Sequence, residues 1–377
     1  MKKLILALTI PIILLFNKPA IKPHVDSELN THNELPPTLH LTVVALGPLK
    51  GLISNILWMQ ADDKQQAKEF YETMQYCRWI SLIQPHQEDI WRYIGWNISY
   101  NISGNYTEFD EKWQWIQKGI QLMRNTGLQY NPDSEIIGYE IAETYGFKLG
   151  FGATTKEGQF YQTKLFEQMS RYFDDSSEAF FKELYQAPSN KRQLFAIDGM
   201  QEKFDLHTST IAQGLSDDDL SDDLLRTLYF FQKRKKIETD LNMDISRIQR
   251  LNEETGGLDW RLYHAHALYF ICPEGLLNKI SQSGLPAMRS KSLTIQAFIN
   301  GKTLYKEGSQ IKTTVNRKLF KVLDKVLDQY RIENTYRLIS ALEAVIPVIH
   351  KFQSHLEARL LYREYIERLN KMRQENP

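Results

Sequence analysis

The chain has 377 residues, and its 46 basic and 46 acidic side chains give a formal net charge of zero. This balance argues against a general nucleic-acid-binding protein, in which a basic surface supplies most of the affinity. A hydrophobic content of 42% and an aromatic content of 12% argue against long disorder. The two widely separated cysteines argue against a disulfide scaffold or a cysteine-based zinc site.

The N-terminus has the pattern of a targeting or anchoring segment. Lys2 and Lys3 precede an apolar run from Leu4 to Phe16, which is shorter than the roughly 17–25 residues of a spanning helix. No small-residue cleavage site follows, so we predict that residues 1–20 form an uncleaved anchor. A cleaved export signal is the second choice, and a buried cytosolic helix is the third. The two lysines predict that the rest of the chain lies in the periplasm, outside the inner membrane. The polar, proline-containing stretch over 21–40 is predicted to be a tether.

Helical hydrophobic spacing begins near residue 49, and the region 41–173 is predicted to consist of helical hairpins. The first two predicted faces are Leu52, Ile56, Met59 and Ala61, and then Phe70, Met74, Cys77, Ile80 and Leu82, after which Pro85 ends the pair. Further helices are expected over 109–125, 134–149 and 159–172.

One segment, Trp91 to Gly95, has the W-x-x-[LI]-G spacing that opens a tetratricopeptide helix. On a helix Trp91 and Ile94 share a face, and Gly95 lets a neighbouring helix approach closely. Pro85 and Pro132 lie 47 residues apart, however, instead of the roughly 34 of a standard repeat. We therefore predict an all-α, tetratricopeptide-like solenoid with irregular repeats, preceded by an N-terminal hydrophobic helix.

The second half of the chain divides into a polar middle region and an amphipathic end. The middle region, 174–312, is predicted to be helical with acidic loops. Its apolar residues alternate over 293–299, which fits a strand with a hairpin turn at Asn300-Gly301, but an end-capped helix fits nearly as well and is favoured here. The region 313–377 is predicted to form amphipathic helices over 315–330, 336–352 and 354–373. From residue 301 onward there are 15 Lys and Arg against 9 Asp and Glu.

The histidine pair His264-Ala265-His266 is the most metal-like feature. On a strand the two side chains would share a face, but on a helix they lie about 200° apart and cannot hold one ion. Flanking apolar residues favour a helix, so no metal site is predicted. We expect Trp260 to anchor the helix, one histidine to pack inside and the other to face a groove. An acidic run, Asp217 to Asp223, lacks the glycine and terminal glutamate of a calcium loop and is predicted to be a solvated, helix-capping loop.

The run from Trp91 to Ser103 is the most unusual segment, because aromatic residues surround the predicted helix. Such a helix is buried on both sides. Asn97 and Asn101 share a face at i, i+4 spacing. We predict either that they hydrogen-bond to a partner's backbone or that they brace neighbouring loops, and we favour bracing. The groove or bracing residues predicted from the sequence are Trp91, Trp96, Asn97, Asn101, Trp260, Arg261 and His266.

Several of these segments together resemble a group of uncharacterised, membrane-anchored, tetratricopeptide-like proteins of planctomycete and verrucomicrobial type. The segments are 44–51 with Leu57-Trp58, 91–103, 115–120, 127–132, and 259–261 with Ala265-His266, about a quarter of the chain. The resemblance implies a location and a fold, and it implies no reaction. The chain departs from the group over 148–161, where an acidic and histidine-containing segment is missing, so the resemblance implies no shared polar site.

No nucleotide-binding, nucleophile-elbow or zinc-protease motif occurs, and no cofactor is predicted. The sequence predicts a non-enzymatic, membrane-tethered scaffold that binds a protein or peptide partner outside the cytoplasm. The competing hypothesis is a helical enzyme of unknown reaction that uses Asp259, His264 and His266. A third is self-assembly through the C-terminal helices.

Overall fold

A computed structural model describes residues 50–151, 155–211, 222–307, 310–351 and 356–375. The described residues from Ser54 onward form one compact unit. The predicted anchor, the tether and the segment 44–49 lie outside the described residues. Among the described helices, none combines the length and the apolar character needed to cross a bilayer.

The described chain is mostly helical, which confirms the all-α class, with one small hairpin added. The α-helices of four or more residues before the hairpin are α1 (Lys50–Gln66), α2 (Phe70–Ile83), α3 (Glu88–Trp96), α4 (Phe109–Leu122), α5 (Glu135–Glu143), α6 (Lys156–Met169), α7 (Glu178–Gln186), α8 (Lys191–Leu194), α9 (Met200–Ile211), α10 (Asp223–Asp240), α11 (Ile245–Thr255), α12 (Tyr263–Ile271), α13 (Leu276–Ile280) and α14 (Leu285–Asn300), and a single helical turn spans Leu128–Tyr130. After them come β1 (Lys302–Glu307), β2 (Gln310–Thr314), a 3₁₀ turn (Arg317–Leu319), α15 (Phe320–Glu333), α16 (Thr335–His350) and α17 (Leu356–Glu375).

Helix α12 lies at the centre of the fold. All nine of its residues are buried, because its sequence is apolar on every side and a helix of that kind needs neighbours all round. It packs against α5 on one side and α14 on another, and α14 in turn contacts α15 and α16. Residues 293–299 are helical within α14, as predicted from their sequence.

The α3–α4 hairpin is closely packed through glycines. A Cβ added at Gly95 would lie 2.3 Å from the Cγ of Met123, and one added at Gly119 would lie 2.1 Å from the Oγ of Ser99. The close approach expected at Gly95 is therefore confirmed. Helix α2 ends at Ile83, before Pro85, as the sequence predicts.

Three features differ from the sequence predictions, and the first is the buried face of α1. The side chains of Leu52, Ile56 and Met59 are 58%, 52% and 67% exposed, whereas Ala61 is buried as predicted, together with Ser54 and Leu57.

The β-hairpin is the second difference, since only helices were expected around 312 and 313. β1 and β2 pair antiparallel with a register shift between Thr303 and Tyr305, and the expected boundary at 312/313 falls inside β2. The pairing satisfies the backbone N–H and C=O groups of both strands, and Gly301 separates β1 from the end of α14. As a third difference, α15 begins at Phe320 and not at Val315, because β2 extends to Thr314 and the 3₁₀ turn intervenes.

Candidate functional site

Three consecutive helices end in π-helical segments. The segment Asn97–Ile102 continues α3, Met123–Gly127 continues α4, and Thr144–Phe151 continues α5. π-helical turns are rare, and where they occur they often mark functional sites. The wider turn changes which side chains face outward, so these three ends are the first place to look for a binding surface.

Side-chain hydrogen bonds support the π-helical end of α3. The Nδ2 of Asn101 donates to the Oδ1 of Asn97 at 2.7 Å, and the Nδ2 of Asn97 donates to the carbonyl oxygen of Tyr93 at 3.4 Å. The Oγ of Ser103 donates to the carbonyl oxygen of Ser99 at 2.6 Å. Asn97 is buried and Asn101 is half-buried, and the two amides brace the backbone of their own helix.

An aromatic surface forms where the π-helical ends of α3 and α5 meet. The rings of Trp96 and Tyr100 stack at 6.0 Å between centroids, and the ring of Phe147 lies 6.2 Å from that of Tyr100. The Nζ of Lys148 sits 4.7 Å from the Tyr100 ring centroid, in the geometry of a cation–π contact. Phe147 is 52% exposed. We refer to Trp96, Tyr100, Phe147 and Lys148 as the aromatic patch.

A buried carboxyl group lies beside the patch on α5. Glu140 is 7% exposed, and the Oγ1 of Thr144 donates to the main-chain carbonyl oxygen of Glu140 at 2.9 Å. Burial raises the pKa of the Glu140 carboxyl to about 7, with Arg92 opposing the shift and Glu143 adding to it. Burial and the proximity of Glu140 also raise the pKa of Tyr100. The environment of Glu140 therefore favours the neutral acid.

On the side of α5 that faces α14, Glu143 forms an ion pair with Arg289 of α14. The Nε of Arg289 lies 2.5 Å from the Oε1 of Glu143. Gly146 makes room for that guanidinium, because a Cβ there would lie 2.3 Å from its Nη2. Burial raises the pKa of Glu143, and the arginine opposes the shift.

Trp91 lies at the opposite end of α3 and is only 5% exposed. Its Nε1 donates to the carbonyl oxygen of Pro85 at 2.7 Å, and its ring stacks on that of Tyr130 at 5.9 Å. The Nδ2 of Asn131 donates to the same carbonyl at 3.1 Å. Trp91 thus holds together the loops that precede α3 and follow α4.

The second group of predicted residues centres on Asp259, which joins three distant segments. Its carboxylate accepts hydrogen bonds from the Oγ of Ser176 at 2.9 Å, from Nε and Nη2 of Arg261 at 2.9 and 3.0 Å, and from the backbone N–H of Thr303 at 3.1 Å. Burial by itself would raise the pKa of Asp259, but these donors and the charge of Arg261 outweigh it and lower the pKa. The guanidinium of Arg261 also stacks over the ring of Phe166.

Trp260 and the two histidines are core residues. Trp260 has no exposed surface, and its Nε1 donates to the Oδ1 of Asn252 at 2.9 Å. The Nε2 of His266 lies 2.9 Å from the carbonyl oxygen of Trp260, and its ring stacks on Tyr145 at 5.3 Å. His264 is 3% exposed, and neither of its ring nitrogens has a hydrogen-bond partner among the described residues.

Burial lowers the pKa of His264 to about 3 and that of His266 to about 4. The helix expected at His264-Ala265-His266 is present, but the expectation that one histidine faces a groove was wrong. Every position of α12 is covered by a neighbouring element, so neither ring reaches solvent. The described residues contain no group of three or more His, Cys, Asp or Glu side chains placed to hold a metal ion.

Helix α5 separates the two groups of predicted residues. Tyr145 contacts His266 and Phe270 of α12, whereas the adjacent Thr144 and the nearby Phe147 contact Tyr100 of α3. Trp96, Asn97 and Asn101 therefore come together on one side, and Trp260, Arg261 and His266 on the other.

The sequence reasoning missed Phe147, Lys148 and Glu140. A signal for Glu140 was available, because it interrupts the apolar stretch from Ile136 to Ala142, where an acidic side chain is either exposed to solvent or buried with a perturbed pKa.

An open depression of about 850 Å³ lies elsewhere, along residues 195–205, and none of the predicted site residues lines it. The acidic run also remains largely undescribed, although Asp222 caps α10 by accepting from the backbone N–H groups of Leu224 and Leu225.

No family model, curated protein or solved structure matches this chain. The resemblance to membrane-anchored, tetratricopeptide-like bacterial proteins therefore stays a prediction.

Proposed function

We propose that the protein is a non-enzymatic scaffold that holds a protein or peptide partner on the aromatic patch. The scaffold is a tetratricopeptide-like array of irregular helical hairpins, tethered to the inner membrane by its N-terminus and exposed to the periplasm. Cleaved export remains the second choice for its location.

The aromatic patch is the observation that carries the proposal. Aromatic residues dominate the energetics of protein interfaces, because they bury a large area at a low cost in conformational entropy. Trp96 and Tyr100 are half-buried, so their orientation is fixed by packing, while the side chain of Phe147 is exposed. Lys148 adds a charge that can select an acidic or carbonyl-rich segment of the partner.

The geometry favours this scaffold over the enzyme hypothesis. The carboxylate of Asp259 is held by hydrogen bonds from Ser176, Arg261 and Thr303, and both His264 and His266 are buried in the core with pKa values depressed far below neutrality. A general base needs access to substrate and a pKa near the working pH. These three residues offer neither in the described arrangement.

Site-specific photocrosslinking tests the proposed partner surface. A benzophenone amino acid placed at Phe147 in the full chain keeps an aromatic ring at that position, and we expect one discrete crosslinked product in cells of the native source. Adding Tyr100→Ala removes the neighbouring ring and is expected to reduce the yield of that product at least severalfold.

The matched control places the same amino acid at Tyr71, an exposed aromatic residue on α2. Equal crosslinking from Phe147 and Tyr71, or a yield from Phe147 that is insensitive to Tyr100→Ala, would show that the patch is no specific interface. Removal of residues 1–20 tests the tether separately, since it should move the protein from the membrane fraction to the soluble fraction.

A further inference from the structure

Exposed basic side chains are concentrated on the hairpin, in the 3₁₀ turn and at the start of α15. Six basic side chains between residues 302 and 325 are exposed, and they are Lys302, Lys312, Arg317, Lys318, Lys321 and Lys325. We call these six residues the basic surface. Over this interval the sequence contains only two acidic residues, and one of them, Asp324, lies 3.6 Å from Arg368 of α17.

The basic side chains of β2 and α15 face outward, whereas most apolar side chains of these elements face inward. On β2, Lys312 is exposed whereas Ile311 and Thr313 on the opposite face are half-buried, and β2 packs against α6 and α14. On α15, Lys321 and Lys325 are one turn apart and outward. The inner side of α15 buries Phe320, Val322, Leu323, Val326, Leu327 and Tyr330.

Large apolar side chains are also exposed on the elements that carry this charge and at the start of α16. Leu304 on β1 is 63% exposed, Ile332 at the end of α15 is 74% exposed, and Tyr336 at the start of α16 is 76% exposed. Ile332 lies seven residues beyond Lys325, about two helical turns along the same face. Lysines, a tyrosine and isolated aliphatic side chains are the combination found where proteins meet the interfacial region of a bilayer.

The positive charges at the N-terminus of α15 lower the stability of this helix. No acidic residue occupies the first turn, and Lys318 and Lys321 lie at the helix N-terminus, where the helix dipole disfavours cations. Lys318 has a counterion in Glu178 at 3.5 Å, but both side chains are more than half exposed, so this pair offsets little. An external anion would stabilise the arrangement.

We propose that the basic surface docks the folded unit on an anionic lipid bilayer. The inference rests on the proposed membrane tether, because tethering raises the effective concentration of lipid headgroups around the protein. Anionic headgroups attract each nearby Lys or Arg, and Leu304, Ile332 and Tyr336 can enter the headgroup region. Docking would fix the orientation of the aromatic patch relative to the membrane.

Vesicle flotation with the full chain tests the proposal. Vesicles of phosphatidylcholine alone report the tether, and vesicles that also contain about 30% phosphatidylglycerol report the effect of charge. We expect tighter binding to the anionic vesicles, with the difference lost in about 0.5 M salt. The triple variant Lys312→Gln, Lys321→Gln, Lys325→Gln should lower the affinity for anionic vesicles on the order of 100-fold, given about 1 kcal/mol per basic residue. Its affinity for neutral vesicles should not change.

The matched control removes three exposed basic residues of α7 and α8, through Lys182→Gln, Lys191→Gln and Arg192→Gln. Both triple variants are checked for unchanged helicity and melting temperature. If the two variants bind anionic vesicles equally well, the proposed docking surface is overturned. It is also overturned if the first variant keeps its vesicle binding and instead loses an acidic protein partner. Binding to anionic but not neutral vesicles, abolished only by the first variant, would support the docking surface while refuting the tether.

Discussion

The buried Glu140 makes a quantitative prediction about stability and pH. Its pKa is raised from 4.5 in the unfolded chain to about 7 in the folded protein. The folded state therefore binds a proton more tightly, and the contribution of this group to stability is greatest below pH 4.5 and is lost as the pH rises through 7. At about 1.4 kcal/mol per pH unit, ionising Glu140 in the folded protein costs on the order of 3 kcal/mol at pH 8.

The variant Glu140→Gln keeps the shape of the side chain and cannot ionise. We expect it to be more stable than the wild type by as much as about 3 kcal/mol at pH 8, and by less than about 1 kcal/mol at pH 5. Urea unfolding followed by circular dichroism at both pH values measures the two differences. Because both proteins carry the same other titrating groups, the change in the difference between pH 5 and pH 8 isolates Glu140.

The control is Glu178→Gln, since the side chain of Glu178 is 91% exposed. Its effect should be small, within about 0.5 kcal/mol at both pH values. A stability difference for Glu140→Gln that is the same at pH 5 and pH 8 would refute the reasoning, because it would show that packing and not ionisation dominates. A destabilised variant at pH 8 would show that the carboxylate has a partner that stabilises its charged form.

Three further predictions concern the core. Asp259→Asn should destabilise the protein by about 3 kcal/mol in urea unfolding, because it leaves a mostly buried guanidinium without its counterion, whereas Asp89→Asn in an exposed pair should cost below about 1 kcal/mol. Between pH 6.5 and pH 5 the wild type should lose about 2 kcal/mol more stability than His264→Phe, because the pKa of the buried imidazole is lowered to about 3 and protonation favours the unfolded chain. Parallel profiles of stability against pH for the two proteins would contradict this. Gly95→Ala should cost about 1–3 kcal/mol by overpacking, and Gly104→Ala, with open space around it, should be near neutral; equal effects of the two alanines on the melting temperature would contradict the packing argument.

The local sequence was sufficient for most helices and their ends. Pro85 ends α2 because proline cannot continue the hydrogen-bond ladder, and Ser134 begins α5 by accepting the backbone N–H of Ile137. These are interactions between residues close in the chain, so spacing and residue type predict them. The close approach at Gly95 was also predictable, because a glycine on a buried helix face usually serves that purpose.

The candidate site was only partly predictable. Trp96, Asn97 and Asn101 were selected from an unusual run, but the residues that complete the surface, Phe147 and Lys148, come from another helix. Their contact with α3 depends on the π-helical ends, and a pattern analysis based on 3.6 residues per turn does not detect such a change of register.

By itself, the sequence determined that this chain forms amphipathic helices, lacks the familiar catalytic motifs and begins with an apolar, lysine-flanked segment. Only the tertiary structure decided which side of each helix is buried. Leu52, Ile56 and Met59 are exposed although they are apolar, while Glu140 and His264 are buried although they are polar. The physical reason is that burial depends on which elements pack together, and the total packing of α5 and α12 outweighs the cost of desolvating one carboxyl group and one imidazole.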